Sequence, residues 1–234
     1  MKENDFIKAL EDINIHVSIN QLNQLKKYYE ILVEWNKSMN LTGITEIKEV
    51  YLKHFYDSAT MNQIIDLNTV ESLCDVGSGA GFPGLVIKIL FPHIKVVLID
   101  SLNKRINFLN EVIKELELTE IIAIHTRSEE FGVKNKEQFD VVTARAVASL
   151  PILMEICVPL VKVNKYFIPM KANISDEEIK TSNACDKLSI NIEEKIEFKL
   201  PFENSNRCLL KYKKIKETNK IYPRKYAEIK KKPL

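Results

Sequence analysis

Glycine is scarce in this chain, with only six glycines among 234 residues. So few glycines exclude a glycine-rich linker or a collagen-like repeat. Four of the six lie in one stretch of ten residues, "DVGSGAGFPG", from Asp75 to Gly84. Glycine adopts positive φ without strain and lets another group approach the backbone closely. This concentration therefore predicts a tight turn against which a ligand binds.

Cysteine pairs and long apolar runs are also missing. The four cysteines form no C-x-x-C pair, which argues against a zinc site or a disulfide framework and indicates a reducing compartment. No apolar run approaches the roughly 20 residues that span a bilayer. The N-terminus "MKENDFIKALEDINIHVS" lacks the apolar core of a signal peptide. These absences predict a cytoplasmic protein without a membrane segment or a metal.

A strong net charge is absent overall, because the formal net charge is only +2. The charge is unevenly divided, however. Residues from Lys211 to Leu234 hold ten Lys or Arg and two Glu, a net +8, whereas the other residues carry a net −6. Such a segment is either a solvated tail or an arm that binds a polyanion, and the pattern favours the arm.

The order of elements predicts a doubly wound α/β sheet with a helical cap. Residues 1–66 have helical spacing, and Ser18 with Gln21 fits a capping box. Continuous apolar runs then alternate with helices, which is typical of a parallel sheet covered on both faces. The predicted units are a helical extension (1–66), an α/β domain (67–215) and a basic tail (216–234). The helix predicted after Ser18 is expected to bury one face, formed by Leu22, Leu25, Tyr29, Leu32, Trp35 and Met39.

The glycine loop fits two ligand classes. Gly79, Gly81 and Gly84 match the dinucleotide motif G-x-G-x-x-G, whereas Gly77, Gly79 and Gly81 match the G-x-G-x-G of S-adenosylmethionine-dependent methyltransferases. Asp75 favours the second class, because a carboxylate there attracts the amino group of a methionine moiety and repels a pyrophosphate.

Side chains at the ends of later strands extend the predicted site. Asp100 ends the second strand and can accept hydrogen bonds from ribose hydroxyls, although it could instead cap the next helix. Ser128 and Glu129 follow the third strand and could meet an adenine. Arg145 follows the fourth strand and needs an anion: the methionine carboxylate, a phosphate, Asp75 or another structural ion-pair partner.

The sequence lacks the motifs that mark methyltransferases for two kinds of methyl acceptor. Exocyclic amine methylation usually requires D/N-P-P-Y/F after the fourth strand, where this chain has "TARAV". Cytosine C5 methylation needs a nucleophilic cysteine, and neither Cys74 nor Cys157 has that setting. A ring nitrogen such as guanine N7 has a free lone pair at neutral pH, so alignment without a general base suffices. The absence of an obvious acid or base is consistent with such an acceptor.

The chain resembles the RsmG (GidB) family of 16S ribosomal RNA guanine-N7 methyltransferases. The resemblance rests on the combination of "WNKSMNLTGI", "KHFYDS", "CDVGSGAGFPG", "LIDSLNKRINFL", "RSEEF", "RAVASL", "MKAN" and "YPRK…KKPL". It implies a Rossmann-like class I S-adenosylmethionine-dependent methyltransferase sheet with an N-terminal helical extension. It also implies transfer of a methyl group to N7 of a guanosine in the 530 loop of 16S rRNA.

The site prediction combines the residues and the resemblance, with no catalytic acid or base and no metal. The predicted cofactor contacts are Asp75, Gly77, Gly79, Phe82, Asp100, Ser101, Leu102, Ser128, Glu129 and Arg145. The predicted substrate contacts are Lys53, His54, Asp57, Ser58, Lys104, Arg105, Lys171, Arg224 and Lys225.

The expected partner is 16S rRNA, the small ribosomal subunit or an assembly intermediate, bound by a monomer. Removal of residues 219–234 is expected to weaken RNA binding and to preserve cofactor affinity. Tyr222 and Tyr226 are expected to stack on bases. Two alternatives remain at this stage: a methyltransferase acting on another RNA or a small molecule, and a non-enzymatic module that binds NAD.

Overall fold

The fold is built on one seven-stranded sheet. The computed structural model describes residues 1–173 and 182–234. The strands lie in the order β3-β2-β1-β4-β5-β7-β6. Strands β1 to β5 run parallel, and β7 pairs antiparallel with both β5 and β6. The strand bounds are β1 Ser72–Val76, β2 Lys95–Asp100, β3 Ile121–His125, β4 Phe139–Arg145, β5 Val161–Lys171, β6 Ile190–Lys199 and β7 Asn206–Lys214.

Helices cover both faces of this sheet, so the predicted α/β architecture with a helical cap is confirmed. Two hydrophobic clusters lie on the two faces; the one beneath the N-terminal helices joins residues 6–64 to the sheet. The helix bounds are α1 Glu3–Glu11, α2 Ile19–Met39, α3 Ile47–Val50, α4 Asp57–Ala59, α5 Gly84–Leu90, α6 Asn103–Glu115, α7 Ser128–Lys134, α8 Leu150–Cys157, α9 Ser182–Leu188 and α10 Tyr226–Lys231. The predicted helix over 174–188 is described only from Ser182 onward, and its earlier part lies outside the described residues.

Helix α2 has the predicted capping box, but its buried face differs from the predicted one. The Ser18 side chain accepts a hydrogen bond from the Gln21 N–H, and the Gln21 side chain accepts one from the Ser18 N–H. Tyr29 is half-buried and packs against the core as predicted, but the fully buried Tyr28 was not predicted. The reason is a distant partner: the Tyr28 hydroxyl donates to the Ala80 carbonyl in the glycine loop.

A π-helical turn, Tyr51–Tyr56, joins α3 to α4. Such turns are rare and change the direction in which the following side chains point. This one carries Lys53 and His54 of the "KHFYDS" segment. The helical extension thereby brings these side chains to the edge of the sheet where the parallel strands end.

The basic C-terminal segment lies against the sheet domain. Tyr222, Ile229 and Leu234 are buried in the hydrophobic cluster that contains α8. The expectation that Tyr222 is available to stack on RNA bases was therefore wrong, because its ring is part of the core. Among the described residues, no helix is long and apolar enough to span a bilayer.

Candidate active site

The glycine loop forms the floor of the site, between β1 and α5. Gly77, Gly79 and Gly81 all have positive φ, at 72°, 59° and 93°. The Gly77 N–H donates to the Ile99 carbonyl at 2.8 Å, which holds the loop against β2. A Cβ on Gly77 would lie 2.6 Å from Val147 Cγ2, so no other residue fits here without movement. Glycine is required at this position by both conformation and space.

A first cavity of about 380 Å³ opens beside this loop, at the carboxyl ends of the strands. Ligand sites in open α/β sheets lie at this edge. The cavity is within the size range of small-molecule sites. Its lining residues are Val76, Gly77, Ile99, Asp100, Ser101, Arg105, Thr126, Arg127, Ser128, Glu129, Ala146, Val147, Ala148, Ile156 and Tyr226. Five predicted cofactor contacts thus share one cavity: Gly77, Asp100, Ser101, Ser128 and Glu129.

Asp100 connects the loop, helix α6 and the cavity. Its Oδ2 accepts hydrogen bonds from the Gly79 N–H at 3.0 Å and from Arg105 Nη1 at 3.2 Å. Its Oδ1 accepts one from the Leu102 N–H at 2.9 Å. Asp100 therefore bonds the residue before α6, but α6 has no side-chain cap, so the capping interpretation was wrong. Oδ1 accepts one bond and keeps one acceptor site for a ligand hydroxyl, so these contacts are compatible with a hold on the ribose.

Asp75 lies beneath the loop rather than in the cavity. It is fully buried, and its Oδ2 accepts a hydrogen bond from the Gly84 N–H at 2.9 Å. Its Oδ1 has no partner among the described residues. Burial raises the pKa of Asp75 to about 7. The loop thus rests on a carboxyl group that retains one unused acceptor; its contact with a cofactor amine stays a prediction.

A second cavity of about 540 Å³ adjoins the first, and Ala146 lines both. Its walls combine apolar and cationic side chains. The lining residues are Ile44, Lys53, His54, Asp57, Arg145, Ala146, Met170, Lys171, Ala172, Asn173, Arg207, Cys208 and Leu209. Four of the predicted substrate contacts, Lys53, His54, Asp57 and Lys171, therefore face one cavity.

Arg145 is held by Asp57, which fits the interpretation of a structural ion pair, and Asp75 is not its hydrogen-bond partner. Arg145 Nη1 donates to Asp57 Oδ2 at 2.9 Å and to the Lys53 carbonyl at 3.0 Å. The other oxygen of Asp57 accepts from Arg207 Nε at 2.8 Å. Arg145 lines the second cavity, and its contact with the cofactor stays a prediction. The carboxylate of Asp57 fixes two guanidinium groups at one wall.

His54 is buried beside Arg145 and remains neutral. Its Nε2 lies 2.9 Å from Thr42 Oγ1, and its ring stacks on Phe82 with centroids 4.3 Å apart. Burial, together with the charge of Arg145, lowers the pKa of His54 to about 3. At neutral pH this imidazole carries no charge.

A pH effect on stability follows from His54. The unfolded chain binds a proton on this imidazole below its ordinary pKa of about 6.5, whereas the folded chain does so only below about pH 3. Folding stability contributed by this site is therefore lost as the pH falls from 6.5. At pH 5 the loss amounts to about 2 kcal/mol.

We expect His54→Gln to reduce the fall in unfolding free energy between pH 7 and pH 5 by about this amount. Urea unfolding of both proteins at the two pH values measures the difference. Asp75 titrates in the opposite sense over part of this range, but its contribution is common to both proteins. Parallel curves for wild type and variant would contradict the assignment.

Most of the other predicted contacts lie outside the two cavities. Phe82 is buried beneath His54, and the Ser58 hydroxyl is buried and donates to the His54 carbonyl. Leu102 is 52% exposed, next to Asp100. Lys104 and Lys225 are exposed, whereas Arg224 is bound to Glu155. Arg105 lines the first cavity, which was predicted for cofactor, rather than the second.

Sequence reasoning missed Tyr226, Val147 and Arg207 as cavity residues. Arg207 and Asp57 are 150 positions apart, and no local pattern signals that pairing. The "ARAVASL" segment, which begins in the last two residues of β4, could have indicated Val147, since Val147 follows the strand end. The described residues contain no group of His, Cys, Asp or Glu suited to a metal ion.

Comparison with solved structures places the fold among the class I S-adenosylmethionine-dependent methyltransferases. The chain is similar to the Methanococcus jannaschii fibrillarin pre-rRNA processing protein, with a TM-score of 0.51 and 16% identity over 65% of this chain and 70% of that one. It is also similar to M. jannaschii TYW2 in complex with AdoMet, with a TM-score of 0.51 and 17% identity over 63% and 71%. At these identities the likeness concerns the fold alone.

Similarity to curated proteins extends over the whole chain. The chain is 51% identical to the ribosomal RNA small subunit methyltransferase G of Lysinibacillus sphaericus, over 96% of each protein. It is 48% identical to the protein of the same description from Bacillus subtilis, over 100% of this chain and 99% of that one. Residues 21–207 match the family described as "GidB: rRNA small subunit methyltransferase G". The chain therefore belongs to the GidB family of rRNA small subunit methyltransferases.

Proposed function

We propose that this chain transfers a methyl group from S-adenosylmethionine to N7 of a guanosine in the 530 loop of 16S rRNA. The observation that supports the proposal best is the pair of adjoining cavities. One is bounded by the glycine loop and Asp100, the other is lined by cationic and apolar side chains, and Ala146 lies between them. A donor in the first cavity and an acceptor base in the second would meet at this position.

The first cavity fits the proposed cofactor. Gly77 lines this cavity with backbone alone, and Asp100 Oδ1 is placed to accept a hydrogen bond from a ribose hydroxyl. Ser128 and Glu129 supply polar groups on the same cavity wall for an adenine. When bound, S-adenosylmethionine supplies a methyl group already activated on a sulfonium.

The alternative of an NAD-binding module conflicts with two features. A pyrophosphate binds the N-terminus of the helix after the glycine loop, but here the Gly84 N–H is already bonded to Asp75. The sheet also contains the antiparallel strand β7 between β5 and β6, unlike the dinucleotide-binding order.

A thermal-shift experiment distinguishes the two ligands. We expect S-adenosylhomocysteine at 100 times its Kd to stabilise the folded protein by about 2.7 kcal/mol, and NAD to leave the unfolding midpoint unchanged. Stabilisation by NAD alone would overturn the proposal.

Asp100→Ala tests the proposed hold on the ribose. The substitution removes charge-assisted hydrogen bonds worth about 1.5–3 kcal/mol, so affinity for S-adenosylhomocysteine should fall at least tenfold. Calorimetric titration measures the affinity, and thermal unfolding without ligand reports the loss of the bonds to Gly79, Leu102 and Arg105. A lower melting temperature with unchanged affinity would assign Asp100 a structural role alone.

The second cavity supports a mechanism based on orientation. Guanine N7 has a free lone pair, so no residue needs to remove a proton from the attacking atom. His54 is bonded to Thr42 and neutral, so it is not a proton acceptor poised near pH 7. Arg145 and Arg207, fixed by Asp57, would orient the base and the adjacent phosphates. The apolar side chains of Met170 and Leu209 would exclude water from the acceptor face.

The substrate would be 16S rRNA, as naked RNA, as the small subunit or as an assembly intermediate, in the cytoplasm. Lys53, Arg145, Lys171 and Arg207 line one cavity, and cations of this kind bind RNA phosphates. The test is incubation of the purified protein with cofactor carrying a deuterated methyl group, against small-subunit RNA, small subunits and unrelated RNA. Labelled N7-methylguanosine in the small-subunit samples alone is expected. Label in the unrelated RNA or on another atom would favour the alternative of a different methyl acceptor.

A further inference from the structure

The C-terminal segment Tyr222–Lys231 forms part of the wall of the first cavity. Tyr226, the first residue of α10, is half-buried and lines this cavity together with Ser128, Glu129 and Ile156. From the sequence alone, this segment was predicted to bind RNA, and its removal was predicted to leave cofactor affinity unchanged. Its position beside the polar residues of the cavity points to a different role.

The segment is fixed to α8 by a buried carboxylate. Glu155 is fully buried, and its Oε1 accepts hydrogen bonds from the Arg224 N–H at 3.0 Å and from Arg224 Nε at 2.7 Å. Its Oε2 accepts one from Arg224 Nη2 at 2.5 Å. The carboxylate thus holds both the main chain and the side chain of Arg224, two residues before Tyr226. The residue after Glu155, Ile156, lines the same cavity.

Apolar contacts fix the segment on either side of Arg224. Pro223 packs on α7, because its Cγ lies 3.1 Å from the position of a Cβ on Gly132. Helix α7 begins at Ser128 and Glu129, the residues proposed to meet the adenine. Ile229 is fully buried one turn beyond Tyr226. The position of Tyr226 is therefore determined by contacts on both sides, which a free arm would lack.

We propose that Tyr226 contacts the adenosine part of the cofactor and that the Glu155–Arg224 ion pair positions it. The inference rests on the proposed use of the first cavity for S-adenosylmethionine. An aromatic ring offers a large, rigid surface on which a purine packs. The basic C-terminal segment would then serve cofactor binding through Tyr226, with its exposed lysines left for other contacts.

The test compares ligand affinity in the full-length protein by isothermal titration calorimetry. We expect Tyr226→Ala to weaken S-adenosylhomocysteine binding at least tenfold and Tyr226→Phe to keep affinity within about threefold, because the ring makes the contact. The loss should persist with 5′-methylthioadenosine, which lacks the amino-acid part. Lys230→Ala, an exposed position in the same helix, is the matched control and should leave affinity unchanged.

Glu155→Gln tests the positioning role, because it keeps the side-chain shape and removes the charge. We expect Glu155→Gln to bind S-adenosylhomocysteine more weakly than the unsubstituted protein. The double variant Glu155→Gln/Tyr226→Ala should bind it no more weakly than Tyr226→Ala alone. Wild-type affinity for Tyr226→Ala, with normal binding by the unsubstituted protein, would overturn the inference and leave the proposed function intact. If the two single variants lost equal binding free energy and the double variant lost the sum of the two, the positioning role would be overturned. Absence of binding by the unsubstituted protein would instead contradict the proposed function.

Discussion

Substitution of Gly77 by valine is expected to abolish S-adenosylhomocysteine binding, with at least a hundredfold loss of affinity. Gly77 has φ of +72°, and a Cβ would lie 2.6 Å from Val147 Cγ2. A branched side chain must therefore displace the segment after β4 or enter the first cavity. The left-handed backbone adds a strain of about 1–2 kcal/mol, which the fold should tolerate. Calorimetry measures binding, and circular dichroism checks that the sheet is retained.

Gly79→Val provides a comparison with matched backbone strain. Gly79 also has positive φ, at +59°. A Cβ added here would have space, because the nearest atom, the Gly77 carbonyl oxygen, would lie 3.9 Å away. This variant should lose a similar amount of folding stability and much less affinity than Gly77→Val. Equal losses of affinity in the two variants would mean that backbone strain, and not the occupied space, controls binding. Unchanged affinity in Gly77→Val would contradict the placement of the cofactor.

Replacement of Arg145 by lysine is expected to reduce methyl transfer at least a hundredfold while cofactor affinity stays within about threefold. Lysine keeps the charge but cannot reproduce the planar guanidinium that contacts Asp57, the Lys53 carbonyl and His54 together. Arg145 also lies over the Phe82 ring, 5.2 Å from its centroid. Misplacement of the acceptor base by about 1 Å is sufficient for a loss of this size.

The kinetic pattern distinguishes orientation from binding or folding. Loss of orientation lowers kcat more than it raises KM for the RNA, with the melting temperature little changed. Lys104→Ala, at an exposed position on α6 outside both cavities, shows how much a lost surface charge changes KM. A change confined to KM would assign Arg145 to phosphate binding. An equal fall in cofactor affinity would mean that Arg145 contacts the cofactor.

Local patterns in the sequence were sufficient for the sheet and for much of the first cavity. Runs of β-branched residues mark the strands, and parallel strands end at a common edge, so Asp100, Ser128 and Glu129 could be grouped before the fold was seen. Gly77 was identified by motif, and the structure adds the reason, a collision with Val147.

Long-range pairs could not be read from local patterns. Asp57 bonds to Arg145 and Arg207, which are 88 and 150 positions away, and Glu155 bonds to Arg224 at a separation of 69. Each pair depends on how distant elements pack, which propensity and periodicity do not specify. The basic C-terminal segment was misjudged for this reason. Its charge is visible in the sequence, but the buried carboxylate that holds it lies on another helix.

Methylation of N7 of one guanosine in the 530 loop of 16S rRNA is the activity that we propose for this chain. Mass spectrometry of small-subunit rRNA from cells with and without the gene tests this activity, with Arg145→Lys and wild type supplied as complementing copies. N7-methylguanosine should be lost at that single position, restored by wild type and restored poorly by Arg145→Lys. Full methylation of that guanosine in cells lacking the gene would contradict the proposed activity.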